Sequence, residues 1–173
     1  GFNTTLISGP TNLKVDNTIQ LIEVETADEM FKATQESLPS DIAIFSAAVA
    51  DFKINEKKNN KIKKEESLSI NLEKNVDILN YVSNHNSMRP KLVIGFAAET
   101  NDLEINAISK LKSKNCDWII ANDISKKNSG FNSDFNEVTI YFKNSVNKKE
   151  KLTLKKKSEI SEEIVDRIVA QIN

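Results

Sequence analysis

The sequence predicts an α/β fold: a doubly wound, mostly parallel sheet with an antiparallel hairpin extension. Three observations predict it. Short apolar runs alternate with helical patterns through most of the chain, the signature of strand–helix–strand units. The runs at 42–45, 92–96 and 118–121 are apolar without interruption, as buried strands are. Two further apolar runs, Val138 to Phe142 and Leu152 to Leu154, flank a turn rich in lysine and asparagine, as the arms of a hairpin do.

Each element follows from local chemistry. Thr4 to Ser8 reads as a strand closed by the turn Gly9-Pro10, and Ile19 to Val24 as a second. Thr26-Ala-Asp-Glu29 is a capping box, in which Thr26 and Glu29 each satisfy a backbone N–H at a helix start. The helix it begins carries Met30, Phe31 and Leu38 and stops at Pro39. Ile42 to Ala47 is the central strand. From Asp51 to Glu66 apolar residues nearly vanish, which predicts a mobile loop. Leu68 to Leu72 alternates with period two and predicts a half-exposed strand. Asn75 is placed to cap a short helix through Val76, Ile78, Leu79 and Val82.

Leu92 to Phe96 is a buried strand running into Ala97-Ala-Glu-Thr100. Asn101 with Glu104 forms a second capping arrangement, and the helix after it buries Leu103, Ala107, Ile108 and Leu111. Trp118 to Ala121 is a strand stopped by Asn122-Asp123, followed by a polar loop from Ser125 to Asn136 that contains Gly130. The last helix places Ile160, Ile164, Ile168 and Ile172 on one face. No internal repeat or linker divides the 173 residues, so the chain reads as a single domain.

Composition narrows the function. A net charge of −1 gives no global case for nucleic acid or an anionic membrane. Lysines 57, 58, 61, 63 and 64 are nevertheless clustered, which suits a small anionic ligand better than a polyanion. A single cysteine, Cys116, leaves no intramolecular disulfide or multi-thiolate metal site. The single histidine, His85, sits in a polar run and reads as a surface residue; it leaves no Ser-His-Asp triad in view. No apolar run approaches the roughly 20 residues of a membrane span, and no signal peptide is visible. The expected location is cytoplasmic.

Four strand exits share small residues: Ser8-Gly-Pro10, Ser46 to Asp51, Gly95 to Thr100 and Ala121 to Asp123. In a parallel sheet such exits line one crevice, where α/β proteins bind ligands. Each taken alone also fits an ordinary strand end with a capping side chain. Lys61 to Lys64 reads either as a solvated loop or as a lysine loop that closes over phosphates. Lys110 and Lys114 lie four apart on one helix face, where their mutual repulsion would be relieved by an anion.

These residues in order closely resemble one family. Ala47-Ala-Val-Ala-Asp-Phe52, Lys61-Ile-Lys-Lys64, Asn75-Val-Asp-Ile78, Gly95-Phe-Ala-Ala-Glu-Thr100, Ala121-Asn-Asp123 and Gly130-Phe-Asn-Ser-Asp134 resemble phosphopantothenoylcysteine synthetases. In bacteria this is usually the C-terminal half of a bifunctional coenzyme A biosynthesis protein. The resemblance implies a Rossmann-like sheet whose antiparallel extension is used for dimerisation, giving a homodimer. It implies CTP-dependent ligation of 4′-phosphopantothenate with L-cysteine through an acyl-cytidylate, assisted by Mg2+ with ligands unknown. By position, Asp51 resembles a nucleotide contact and Lys61 the loop lysine of the second step. Asn75, Val76, Asp77, Ile78 and Phe96 resemble the nucleotide cradle, and Lys110 and Lys114 the pair that serves CTP. Ala47 and Ala48 resemble the small residues beside the reacting carboxylate.

Two departures accompany the resemblance. Val76 stands where family members often have proline, and no glycine-rich turn opens the chain before Gly9. The expectation is that an opening βα unit, with an asparagine that engages the intermediate, lies upstream, and that without it CTP affinity and activity are low. A flavin-dependent decarboxylase domain further upstream is expected on the same grounds. Leu68 to Leu72 and the Val138–Leu154 hairpin are the dimerisation candidates, since exposed strand edges need covering. Two other classes remain for comparison. A nicotinamide-dependent oxidoreductase lacks its Gly-x-Gly-x-x-Gly fingerprint here. A non-catalytic nucleotide-binding module fits the same crevice without the chemistry.

Overall fold

Apolar alternation within each strand decides which layer it joins. The structure, a computed structural model, describes residues 1–55, 69–125, 133–144 and 148–172. Lys61 and the rest of the lysine run, Leu68 and Gly130 lie outside the described residues. Five strands make the central sheet: β3 (Ile42–Phe45), β6 (Leu92–Glu99), β7 (Trp118–Asp123), β8 (Phe135–Phe142) and β9 (Lys149–Lys156), side by side in that order. β3, β6 and β7 run parallel; β8 and β9 are antiparallel additions.

Alternate residues of these strands feed two cores. Leu92, Ile94, Trp118, Ile120, Val138, Ile140 and Leu152 face helix α4 (Lys157–Ile172), which contributes Ile160, Ile164 and Ile168. Val93, Ala97, Ile119, Ala121 and Tyr141 face the other way, against Ala107 and Leu111 of α3 (Leu103–Lys114). Helices thus cover both faces of the sheet, as the doubly wound class requires. Ile172 breaks the predicted ladder: it is exposed at the helix end.

Two smaller sheets flank this core. β1 (Thr5–Ser8) pairs in parallel with β2 (Gln20–Glu23), and β4 (Phe52–Ile54) pairs antiparallel with β5 (Leu72–Lys74). The β4 strand corrects the loop expected from Asp51 onward, and β5 lies further along than the predicted 68–72 strand. Helix α1 (Ala27–Glu36) starts at the Thr26–Glu29 capping box as predicted, but Leu38 lies beyond its end. Lys53 of β4 reaches Asp28 of α1 at 2.7 Å and Glu73 of β5 at 3.2 Å, fastening the β4–β5 ribbon to the body.

Two caps differ from expectation. Helix α2 (Ile78–Ser83) is capped by Asp77, whose Oδ1 accepts from Asn80 N–H, and not by Asn75. Asn101 and Glu104 do not cap α3; Asp102 stands there in the left-handed region, its side chain making no capping bond among the described residues. Glu104 instead pairs with Lys149 of β9 at 2.6 Å. His85 is half-buried rather than a surface residue. Its ring packs edge-on against Tyr81, and Nδ1 accepts from Met88 N–H at 3.1 Å. Cys116 is buried, and that burial pushes its thiol up to about 11, so it is inert as a nucleophile.

No helix among the described residues is long and apolar enough to cross a membrane.

Candidate functional site

Parallel strands place their exits along one edge, and here that edge gathers three of the four small-residue exits. β3, β6 and β7 run the same way; β3 stops level with Gly95 and leads into 46–51, while β6 and β7 continue side by side to Glu99 and Asp123. The fourth exit, Ser8 to Pro10, follows β1, which is hydrogen-bonded to β2 and not to the central sheet.

The segment Asn75 to Ile78 is tied to this edge from both sides. Asn75 is buried, with 8% of its surface exposed. Its Nδ2 donates to Ala50 C=O at 2.8 Å, and its backbone N–H to Asp51 C=O at 2.9 Å. These bonds hold the exposed stretch of Ala47, Ala48 and Asp51 against the start of α2. Among the described residues the amide oxygen Oδ1 of Asn75 has no donor, an uncommon state for a buried acceptor. On the far side, Asp77 Oδ2 accepts from Lys114 Nζ, so the α2 cap also anchors a lysine of α3. Ile78 is buried and Val76 exposed.

Lys110 is held in the same manner. Its Nζ lies 2.8 Å from Glu99 Oε1, and Glu99 Oε2 accepts from Asn106 Nδ2 at 3.1 Å. The expected mutual repulsion of Lys110 and Lys114 is therefore already relieved, by one carboxylate each. Phe96 is a partly exposed aromatic ring, three residues before Glu99 on β6. Gly95, beside it, leaves room for α2: a Cβ there would meet Leu79 Cδ2 at 2.7 Å and Ile119 Cδ1 at 3.0 Å.

Ala47, Ala48 and Asp51 thus follow the exit of β3 and are tied to Asn75–Ile78, Phe96 lies on β6, and Lys110 and Lys114 reach from α3 to Glu99 and Asp77. Lys61 falls outside the described residues. Glu99 went unassigned in the sequence reading, although it carries the same signal as Asp51: a carboxylate ending a run of small residues. A separate cavity of about 590 Å3 opens at the opposite end of the sheet, lined by Ile42, Leu92 and Trp118 at the starts of β3, β6 and β7 and by Phe142 at the end of β8. It lies away from these side chains and takes no part in the site.

Comparison with known proteins gives a consistent picture. Residues 1–172 match the family described as DNA/pantothenate metabolism flavoprotein C-terminal domain. The chain is 41% identical over 171 residues to the coenzyme A biosynthesis bifunctional protein CoaBC of Haemophilus influenzae, covering 98% of this chain and 42% of that protein. Against CoaBC of Vibrio vulnificus it is 39% identical over 172 residues, covering 97% and 42%. The chain therefore spans less than half the length of these curated relatives. The crystal structure of the C-terminal domain of a CoaBC superposes with a TM-score of 0.78 at 32% identity, covering 98% of this chain and 74% of that one.

Proposed function

Because this chain belongs to the DNA/pantothenate metabolism flavoprotein C-terminal domain family, we propose that it carries a phosphopantothenate–cysteine ligase activity. The observation that carries this reading is the set of bonds at the exit edge, in which Asn75 holds 50–51 and Asp77 holds Lys114. With Lys110 it offers cations and a polar cradle to a ligand that is itself anionic. CTP is such a ligand.

In the proposed reaction a carboxylate oxygen of 4′-phosphopantothenate attacks the α-phosphorus of CTP, and pyrophosphate leaves. The amine of L-cysteine then attacks the acyl carbon, loses a proton, and CMP leaves. Neither step needs a nucleophile from the protein; positioning and charge stabilisation carry the catalysis. Lys110 and Lys114 would meet the triphosphate, and Asn75 Oδ1 would accept from a nucleotide N–H or O–H. Ala47 and Ala48 would leave space for the reacting carboxylate, and Phe96 an apolar face for base or ribose.

Mg2+ is proposed with CTP and neutralises phosphate charge when bound. Among the described residues no three His, Cys, Asp or Glu side chains converge on one point.

The test is an assay of the natural polypeptide that contains this chain. Pyrophosphate release should require CTP and 4′-phosphopantothenate together, and product should form only when L-cysteine is added. CTP binding without pyrophosphate release overturns the ligase reading in favour of a nucleotide-binding module.

A homodimer through the β4–β5 ribbon belongs to the same proposal. Cross-strand register puts Phe52, Ile54 and Leu72 on one ribbon face, and they are 56%, 51% and 59% exposed. Lys53 and Glu73 occupy the other face, toward α1. The β8–β9 hairpin is the weaker candidate, because Val138, Ile140 and Leu152 are already consumed by the core. Sedimentation at micromolar concentration should give twice the chain mass, and Ile54→Asp should give a monomer that still unfolds in one cooperative transition, at a midpoint no longer dependent on protein concentration. A dimer that survives Ile54→Asp would exclude this face.

A further inference from the structure

We infer that Glu99 is a positioning residue for Lys110, setting its ammonium group for an incoming triphosphate; this rests on the nucleotide reading proposed above. Three observations carry it. The Glu99 side chain is 13% exposed, yet it stands at the exit edge where a ligand would arrive. Its carboxylate is fixed from behind: Oε2 accepts from Asn106 Nδ2, which also donates to Asn101 C=O at 3.0 Å. Its other oxygen lies 2.8 Å from Lys110 Nζ but receives no aligned hydrogen bond among the described residues. The contact is a charge pair, and Lys110, whose side chain is 43% exposed, remains within reach of a further acceptor.

Stability alone does not explain a glutamate here. Register sets Glu99 directly beside Asp123 across β6 and β7, and like charges so placed oppose folding. Burying a carboxylate costs more than burying a neutral side chain of the same shape. A glutamine could keep the bond from Asn106 without either cost. What only the carboxylate supplies is a hold on Lys110. The neighbouring lysine is set up alike: Asp77 is fixed by Asn80 N–H and holds Lys114. A lysine has three donors, so one held by a single carboxylate still offers donors to phosphate. The same division of labour operates in protein kinases, where a glutamate fixes the lysine that contacts the nucleotide phosphates.

The test is a double-mutant cycle of Glu99→Gln and Lys110→Met in the natural polypeptide, read as KM for CTP, kcat and unfolding midpoint. Lys110→Met should raise KM for CTP roughly thirtyfold, the scale of one charge-assisted hydrogen bond. Glu99→Gln should raise it about tenfold with kcat little changed, a typical coupling between residues in contact. The double variant should match Lys110→Met alone. If Glu99→Gln lowers the unfolding midpoint sharply, Asn106→Ala loosens the same carboxylate without removing it, and should raise KM by about threefold. An unchanged or lower KM in Glu99→Gln and Asn106→Ala, with a raised KM in Lys110→Met, overturns the role of Glu99 and leaves the nucleotide reading standing. An unchanged KM in Lys110→Met overturns both.

Discussion

Lys61→Gln is expected to release a single burst of pyrophosphate and then stall, with turnover lower by about 10²- to 10³-fold. Lys61 lies in the chain between β4 and β5, outside the described residues. In the first step charge builds on the triphosphate, where Lys110 and Lys114 would meet it. In the second step an amine attacks the acyl carbon, and charge builds on the acyl oxygen and on the departing CMP. A separate cation there, the role proposed for Lys61, would stabilise the second transition state without being needed for the first. Glutamine keeps a hydrogen-bond donor but loses the charge, so it isolates the electrostatic part. Rapid-quench measurement of pyrophosphate, with mass detection of the acyl-cytidylate, reads both steps. Turnover within about fivefold of the parent would exclude the role, because loss of a catalytic charge costs more than that. Loss of the burst would move Lys61 to the first step.

How far the sequence could foretell this molecule depends on how local each cause is. The Thr26–Glu29 capping box was legible because its two hydrogen bonds close within four residues. β6, β7 and the buried face of α4 were legible because burial on both faces leaves unbroken or strictly periodic apolar residues. β4 was not, because its apolar residues Phe52 and Ile54 are exposed and its partner lies across the lysine-rich stretch.

Tertiary contacts redirected several side chains that local rules would have used as caps. Asn75 can cap a helix, but Ala50 C=O claims its amide, and Asp77 takes over. Glu104 can complete a capping box, but Lys149 claims it from β9. At the exit edge, residue types and order singled out the strand ends and the two lysines, yet the pairing of each lysine with a carboxylate could not be read from spacing. Glu99 and Asp77 reach α3 from other elements, and a helix-face rule sees only the helix itself.

The β7 strand offers the most direct test of the fold. Ile119 and Ile120 are adjacent and fully buried, but they face opposite cores: Ile119 packs with Ala107 and Leu111, Ile120 with Ile160 and Ile164. Truncating either to alanine removes its transfer energy and leaves a cavity, at a cost of about 3–4 kcal/mol. That is a large share of the roughly 5–15 kcal/mol that holds a typical domain folded. Valine at either position should cost only about 1 kcal/mol. Val165→Ala, half-exposed on α4, should stay within about 0.5 kcal/mol of the parent. Urea unfolding with an unchanged m-value reads all of these. The comparison of neighbours decides the architecture. A sheet with one wet face tolerates truncation at one of two adjacent strand residues, because successive side chains alternate between faces. A doubly wound sheet tolerates it at neither. An Ile119→Ala cost below about 1 kcal/mol beside a full cost at Ile120 would mean that α3 does not cover its face.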